Sequence, residues 1–122
     1  MARYVDYLVI MCAGGDKTKN LVNAEILNEM KKNSYLINVS RGTVIDEDAL
    51  LYFLKNKLIK GAALDVYKNE PRINSIFKKL DNVILHPHNG SGTHETRKLM
   101  AELSCKNLVN FFKKGRPLYK VI

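Results

Sequence analysis

The chain has 122 residues, of which 46% are hydrophobic and 26% charged, a composition that suits one globular domain or part of one and argues against disorder. Its formal net charge of +8 raises nucleic acid or an anionic membrane as candidate partners, but the basic residues are scattered among 12 acidic ones and form no recognition motif. The two cysteines match no metal-binding spacing and no apolar run is long enough to cross a bilayer, so we expect a cytoplasmic protein with reduced thiols, no metal, no membrane and no nucleic acid.

The first predicted elements are a strand and a helix. An apolar, β-favouring run from Tyr4 to Cys12 predicts a buried strand, and Gly14-Gly15 after it predicts a turn. Asn23 is suited to cap a helix that ends near Lys31-Lys32, where positive charge complements the helix dipole.

The alternation of strand and helix continues through the middle of the chain. Tyr35 to Ser40 predicts a second strand, and Asp46 is suited to cap a second helix that ends near Asn56-Lys57. Gly61 to Val66 predicts a third strand, which the turn Asn69-Glu70-Pro71 terminates.

The last elements are a short turn, a strand and a long helix. Asn74 to Leu80 predicts a helical turn, and Asn82 to Leu85 predicts a fourth strand. Apolar residues at helical spacing after Gly90-Ser91-Gly92-Thr93 predict a long helix that ends at Gly115 and Pro117. We expect a final extended segment from Leu118 to Ile122.

Strands that alternate with helices predict an α/β fold with a parallel sheet and right-handed crossovers. Such apolar strands need cover on both faces, so four strands with three or four helices would leave apolar area exposed. The glycine-rich fingerprint that opens a dinucleotide-binding fold is missing, because Gly14-Gly15 lacks the further glycine at the required spacing. We therefore expect part of a larger unit.

Three chemically active residues follow three of the predicted strands. Arg41, Glu70 before Pro71, and His88 each come at or just past the end of an apolar run. The carboxyl ends of parallel strands meet at one edge of a sheet, where ligands bind. A cation, a carboxylate and an imidazole are therefore expected to converge.

Each of these residues also has a purely structural interpretation. Taken singly, Arg41 suits a surface ion pair, Glu70 suits a solvated turn, and Asp65 suits a cap on a neighbouring element. His86 beside His88 invites a metal site, but the other imidazole, His94, falls in the following helix, which argues against one.

Four motifs in order carry a family resemblance. They are Ile37-Asn38-Val39-Ser40-Arg41-Gly42, Val44 to Leu50, Ala63 to Tyr67 with Glu70-Pro71, and Asn82 to His88. Together they resemble the D-isomer-specific 2-hydroxyacid dehydrogenase family, which includes phosphoglycerate dehydrogenases and glyoxylate/hydroxypyruvate reductases. The resemblance covers the carboxyl-terminal part of a full-length member.

The resemblance implies a partial doubly wound, Rossmann-like parallel sheet. Residues 1–100 would form the second half of a nicotinamide-dinucleotide-binding domain. Residues 101–122 would form a helix and tail that return toward a substrate domain.

The resemblance also implies catalytic roles. Arg41 matches the arginine that grips the carboxylate and 2-oxo group of the substrate, a role that suits the planar guanidinium fork. His88 matches the acid/base that gives a proton to the 2-oxo oxygen as hydride reaches C2. Glu70 matches the carboxylate that orients His88 and favours its charged form.

For the cofactor, the resemblance implies NAD or NADP. Val39, Ser40 and Arg41 match the segment along the nicotinamide, and Asp65 matches the aspartate that binds the carboxamide. The ring would also be bordered by the segment that starts at His88 and continues through Asn89, Gly90 and Ser91. In this sequence His86 replaces a usual Thr and Asn89 replaces an apolar residue. Without the glycine-rich half, we expect cofactor binding to be weak.

Three functional hypotheses follow. The first is part of an NAD(P)-dependent oxidoreductase of this family that acts on a small 2-oxo or 2-hydroxy acid. It would be a homo-oligomer, inactive alone and completed by a separate chain that carries the amino-terminal half. The second is a non-catalytic dimerisation or regulatory remnant of the family. The third, a nucleic-acid binder, is disfavoured because no aromatic residues are interleaved with the cations in a stacking patch.

Overall fold

The computed structural model describes residues 1–120, and the chain divides into two compact units, Met1–Asn89 and Gly90–Ile122. The first unit contains one four-stranded parallel sheet, with its strands side by side in chain order. These strands are β1 (Tyr7–Ile10), β2 (Tyr35–Asn38), β3 (Gly61–Leu64) and β4 (Val83–Leu85). The predicted α/β class and parallel sheet are confirmed.

The pairing register aligns the ends of all four strands. Ile10 pairs with Asn38, Asn38 with Leu64, and Leu64 with Leu85. The last residue of each strand therefore lies in a single row, so the segments that follow the strands all leave from the same edge of the sheet.

The first unit contains two α-helices, and each begins at the predicted capping residue. The side chain of Asn23 accepts a hydrogen bond from the N–H of Ile26 at the start of α1 (Ala24–Asn28). Asp46 accepts from two backbone N–H groups at the start of α2 (Glu47–Lys55). These side chains satisfy donors that a helix start leaves without partners.

Several predicted elements are longer than the observed ones. The first helix ends at Asn28 rather than near Lys31-Lys32, because the chain tightens at Met30, whose N–H bonds to the carbonyl of Leu27. The first strand starts at Tyr7 rather than Tyr4, because residues Ala2–Tyr4 form a 3-10 turn.

The other strand and turn predictions were right in place but also too long. The second strand stops before Ser40 and the third before Val66. The helical turn predicted from Asn74 is a short 3-10 helix, Phe77–Lys79, and the side chain of Asn74 accepts from the N–H of Ile76.

One face of the sheet carries the core and the other is open. Side chains alternate between faces along a strand. Leu36 and Leu64 are buried with α1 and α2 on one face. On the other face, Tyr7 is 63%, Val9 47% and Ile84 71% exposed. The expectation that a four-stranded sheet leaves apolar area uncovered is confirmed.

The second unit consists of a long helix and the tail after it. Helix α3 (His94–Lys114) begins where Thr93 accepts a hydrogen bond from the N–H of Thr96, and it ends at Gly115, whose φ of 68° is left-handed. Asn107 and Asn110 bond to the tail backbone at Tyr119 and Arg116. The predicted helix is confirmed.

The extended segment predicted from Leu118 to Ile122 is only partly described. Residues 118–120 form no strand, and 121–122 lie outside the described residues. Among the described helices, none has the length and apolar character that crossing a bilayer requires.

Candidate active site

The turn after β2 is shaped by the buried side chain of Asn38. Its Oδ1 accepts from the N–H of Ser40 at 3.0 Å, and its Nδ2 donates to the carbonyl of Arg41 at 3.0 Å. The hydroxyl of Ser40 in turn donates to the carbonyl of Cys12, past the end of β1. The backbone that presents Val39 and Arg41 is therefore fixed from both sides.

The side chain of Arg41 lies against the backbone of Gly14. A Cβ atom on Gly14 would lie 2.6 Å from Cγ of Arg41 and 2.9 Å from its Cβ, closer than carbon atoms approach. Nη1 of Arg41 donates to the carbonyl of Ser40 at 2.7 Å. The absence of a side chain at Gly14 thus makes room for the arginine.

The segments after β2 and β3 pack backbone against backbone. A Cβ atom on Gly42 would lie 1.9 Å from the carbonyl carbon of Tyr67. Beside it, the N–H of Lys68 donates to Glu47 at 2.5 Å, at the start of α2. These contacts keep Arg41 near the loop that carries Glu70.

Glu70 and His88 form a direct pair. Oε2 of Glu70 lies 2.7 Å from Nδ1 of His88, and the two side chains are 34% and 45% exposed. Because an ionised carboxylate only accepts hydrogen bonds, Nδ1 is the donor, and Nε2 of His88 is the nitrogen left for chemistry.

Tyr67 supports both members of this pair. Its N–H donates to Oε1 of Glu70 at 2.8 Å, and its hydroxyl lies 2.7 Å from the carbonyl of His86 and 2.9 Å from that of Leu64. The N–H of His88 donates to the same His86 carbonyl at 3.0 Å. His88 has a φ of 51°, a left-handed conformation that needs such support in a residue other than glycine.

The surroundings change the acidity of two groups. Burial raises the pKa of Glu70, but hydrogen bonds from His88 and Tyr67, with the charges of His88 and Arg41, outweigh it and hold that pKa below its ordinary value. Burial raises the pKa of the Tyr67 phenol, and the charges of Asp65 and Glu70 add to the rise. Glu70 is therefore a carboxylate, and Tyr67 a neutral donor, at neutral pH.

Asp65 follows β3 directly and is buried. Its side chain is 9% exposed, and Oδ1 lies 2.5 Å from Nδ1 of His86 and 2.8 Å from the N–H of Asn89. A buried carboxylate is stable only with such donors. Its chemistry suits a further N–H donor such as a carboxamide, so the residues present fit the nicotinamide that the resemblance implies.

The predicted site residues of the first unit come together at the sheet edge. Val39, Ser40 and Arg41 follow β2, Asp65 and Glu70 follow β3, and His88 and Asn89 follow β4. Glu70 and His88 also line an open cavity of about 460 Å³ with Tyr67, Lys78 and His86. Gly90 and Ser91 open the second unit, so their predicted place beside the cofactor stays a prediction.

The part of the chain that the structure describes contains no cluster of side chains suited to bind a metal ion. No group of three or more His, Cys, Asp or Glu side chains there is placed to hold a metal ion. Instead, His86 pairs with the carboxylate of Asp65, and His88 pairs with that of Glu70.

Sequence reasoning missed three supporting residues. Asn38 had a usable signal, because an asparagine that ends a buried strand needs partners for its amide. Tyr67 and Gly14 had none, because their partners are remote in sequence: the Tyr67 hydroxyl bonds to His86, 19 positions away, and Gly14 faces Arg41.

Comparison with known proteins shows to which family the sequence of this chain is similar. Residues 1–90 match the family model described as D-isomer specific 2-hydroxyacid dehydrogenase, NAD binding domain. The chain is 42% identical over 122 residues to a 2-ketogluconate reductase of Gluconobacter oxydans, covering 100% of this chain and 39% of the relative. It is 50% identical over 101 residues to a glyoxylate reductase of Thermococcus litoralis, covering 83% of this chain and 30% of the relative.

A solved structure agrees with the fold. An NADPH-dependent glyoxylate/hydroxypyruvate reductase of Sinorhizobium meliloti, in complex with NADP and malonate, matches with a TM-score of 0.95 and 39% identity, over 98% of this chain and 38% of that one. The predicted Rossmann-like fold is thereby confirmed. The chain spans about two fifths of the length of the 2-ketogluconate reductase, 39%. Its sequence and its fold together show that the chain belongs to the D-isomer-specific 2-hydroxyacid dehydrogenase family, with residues 1–90 matching the NAD-binding domain.

Proposed function

We propose that this chain supplies the catalytic carboxyl-terminal part of an NAD(P)-dependent oxidoreductase that interconverts a small 2-oxo acid and its 2-hydroxy acid. The observation that carries the proposal is the 2.7 Å pair of Glu70 and His88 at the sheet edge that also presents Arg41. A cation for the substrate carboxylate and an oriented imidazole for the oxo oxygen are what such a reduction needs from a protein.

In this proposal each side chain has one task. Arg41 binds the carboxylate and the 2-oxo oxygen of the acid through its guanidinium fork. His88 gives its Nε2 proton to the oxo oxygen during reduction and takes it back from the hydroxyl in the reverse direction. Glu70 holds Nδ1 of His88, which keeps Nε2 turned toward the substrate.

The cofactor is NAD or NADP, which supplies or accepts the hydride at C2 when bound. Val39, Ser40 and Arg41 would lie along its nicotinamide, and Asp65 would accept a hydrogen bond from the carboxamide. His88, Asn89, Gly90 and Ser91 would border the same ring. The glycine-rich turn and the ribose-binding acid are absent from these residues, so the chain alone is expected to bind cofactor weakly and to turn over little.

The proposal also covers organisation. Residues 1–100 would form the second half of the dinucleotide-binding domain, and residues 101–122 would return toward a substrate domain. We infer a homo-oligomer whose active site also needs the amino-terminal half of the family fold. The free thiols of Cys12 and Cys105 suit a reducing cytoplasm.

Reconstitution tests this function. The chain is co-expressed with the part of the Gluconobacter oxydans relative that it does not span, and the co-purified assembly is tested with NADH and NADPH. Glyoxylate, hydroxypyruvate and 2-ketogluconate are the acids, and cofactor oxidation is followed by absorbance. We expect turnover of at least one acid by the assembly and far less by the chain alone. A stable assembly that oxidises neither cofactor with any of the three acids would contradict the proposal.

A second candidate function is a non-catalytic dimerisation or regulatory remnant of the family. The exposed apolar face with Tyr7, Val9 and Ile84 favours it, because a face of that character is stabilised by a protein partner. Assembly with the amino-terminal half or with itself, without turnover, would favour this alternative over the enzyme.

A further inference from the structure

The loop that carries His88 is attached to Asp65 on both sides of the imidazole. Nδ1 of His86 lies 2.5 Å from Oδ1 of Asp65, and the N–H of Asn89 donates to the same oxygen at 2.8 Å. One residue of this pair precedes His88 and the other follows it. A single buried carboxylate oxygen therefore holds the segment 86–89 at two points.

This attachment matters because His88 is in an unfavourable backbone conformation. Its φ of 51° is in the left-handed region, which a residue with a Cβ adopts only when its surroundings hold it there. The N–H of His88 and the hydroxyl of Tyr67 both bond to the carbonyl of His86. The carbonyl of His86 therefore bonds to His88 and Tyr67, and its ring bonds to Asp65.

The ring of His86 is exposed, whereas its partner is buried. The side chain of His86 is 56% exposed and that of Asp65 is 9% exposed. An exposed ring adds little to the core, so its main contribution is the hydrogen bond to the carboxylate. An Nδ1–H group is a hydrogen-bond donor in a neutral imidazole as well as in a charged one.

We propose that His86 is a positioning residue: through Nδ1 it fixes the carboxylate of Asp65, and through Asp65 it fixes the loop that presents His88. This inference rests on the proposed function for the roles of Asp65 and His88. It adds that the carboxylate assigned to the nicotinamide and the imidazole assigned to proton transfer belong to one hydrogen-bonded unit. Loosening His86 therefore disturbs both together.

Amide hydrogen exchange in the 15N-labelled chain tests the attachment without cofactor or substrate. In His86→Ala the carboxylate loses its ring partner, and we expect the Asn89 amide to exchange about tenfold faster or more, the effect of losing one charge-assisted bond. The amides of Leu27 and Leu50, which bond within the first turns of α1 and α2, report the overall fold and are expected to be unchanged.

Two further variants separate the hydrogen bond from the bulk of the ring. His86→Asn places an amide nitrogen at the same distance from the main chain as Nδ1 and is expected to restore Asn89 protection. His86→Gln places its amide nitrogen one carbon further away and is expected to behave like His86→Ala. Unchanged Asn89 exchange in His86→Ala, or equal exchange in the Asn and Gln variants, would overturn the inference.

Kinetics of the reconstituted enzyme provide the second readout. We expect His86→Ala to raise KM for the cofactor and to lower kcat, and His86→Asn to recover both. If the unmodified assembly has no turnover, the proposed function fails while the exchange result still decides the role of His86. If turnover is normal and Asn89 exchange does not respond to His86→Ala, this inference fails and the proposed function stands.

Discussion

The Nδ1 atom of His88 lies 2.7 Å from Oε2 of Glu70, although the two residues are 18 positions apart in the chain and follow different strands. The aligned ends of β3 and β4 make this meeting possible, since Leu64 pairs with Leu85 in the last row of the sheet. Because Nδ1 is bonded to Glu70, Nε2 of His88 is the nitrogen to which we assign the proposed proton transfer.

Replacing His88 tests the proton-transfer step. In the reconstituted enzyme, His88→Ala is expected to lower kcat by about 10²- to 10⁴-fold, the usual contribution of a positioned acid/base. The His94→Ala variant removes another imidazole, at the start of α3, and serves as the control with an expected rate near that of the unmodified enzyme. Full activity in His88→Ala would remove the acid/base assignment.

Replacing Glu70 tests the electrostatics of the pair through stability. The pKa of Glu70 is lower in the folded chain than in the unfolded one, so its contribution is fully present above the unfolded value of about 4.5 and is lost as pH falls through the folded value. Urea unfolding of the chain between about pH 6 and pH 3 is expected to show a steeper acid loss in the wild type than in Glu70→Gln. Because Glu70 is 34% exposed, solvent screening keeps the difference small. Parallel pH profiles for the two proteins would contradict the prediction.

Replacing Gly14 tests the position of Arg41. In Gly14→Ala the new methyl group would occupy the place of the Arg41 side chain, so the guanidinium must move. We expect kcat/KM for the 2-oxo acid to fall by about 10- to 100-fold in the reconstituted enzyme, because small misplacements of a binding group are costly. The exposed Asp16 is in the same loop, and Asp16→Ala is the matched control. Equal kinetics in the two variants would show that the contact is unimportant.

Replacing Tyr67 tests the support of the loop. Tyr67→Phe removes only the hydroxyl that bonds to the carbonyls of Leu64 and His86. We expect the free energy of unfolding to fall by about 1 to 2 kcal/mol, measured by urea denaturation of the chain. Tyr52→Phe removes a hydroxyl from a residue that is 60% exposed and is expected to change stability by less than about 0.5 kcal/mol. Similar changes in both variants would remove this role from Tyr67.

Local features of the fold were predictable from the sequence. The caps Asn23 and Asp46 and the end of the long helix at Gly115 depend on hydrogen bonds or on φ within a few residues. Element lengths were less predictable, because the end of a strand is set by competing bonds. The side chain of Asn38, for example, accepts a hydrogen bond from the N–H of Ser40, and β2 ends there.

The candidate site, like the fold, was only partly predictable from the sequence. The predicted parallel sheet was enough to infer that Arg41, Glu70 and His88 follow strands whose ends meet at one edge. The bond between Asp65 and His86 joins residues 21 positions apart, and the contact between Gly14 and Arg41 joins residues of two different loops. Such contacts depend on the register of the sheet, which the order of residues along the chain does not reveal.

The order of the strands also bears on biosynthesis. Because β1 to β4 lie side by side in the order in which the ribosome delivers them, each new strand finds its partner already made. The sheet can therefore grow in one direction during translation. His88 follows β4, the fourth of these strands, so its imidazole can reach the Glu70 carboxylate only after β4 has joined β3.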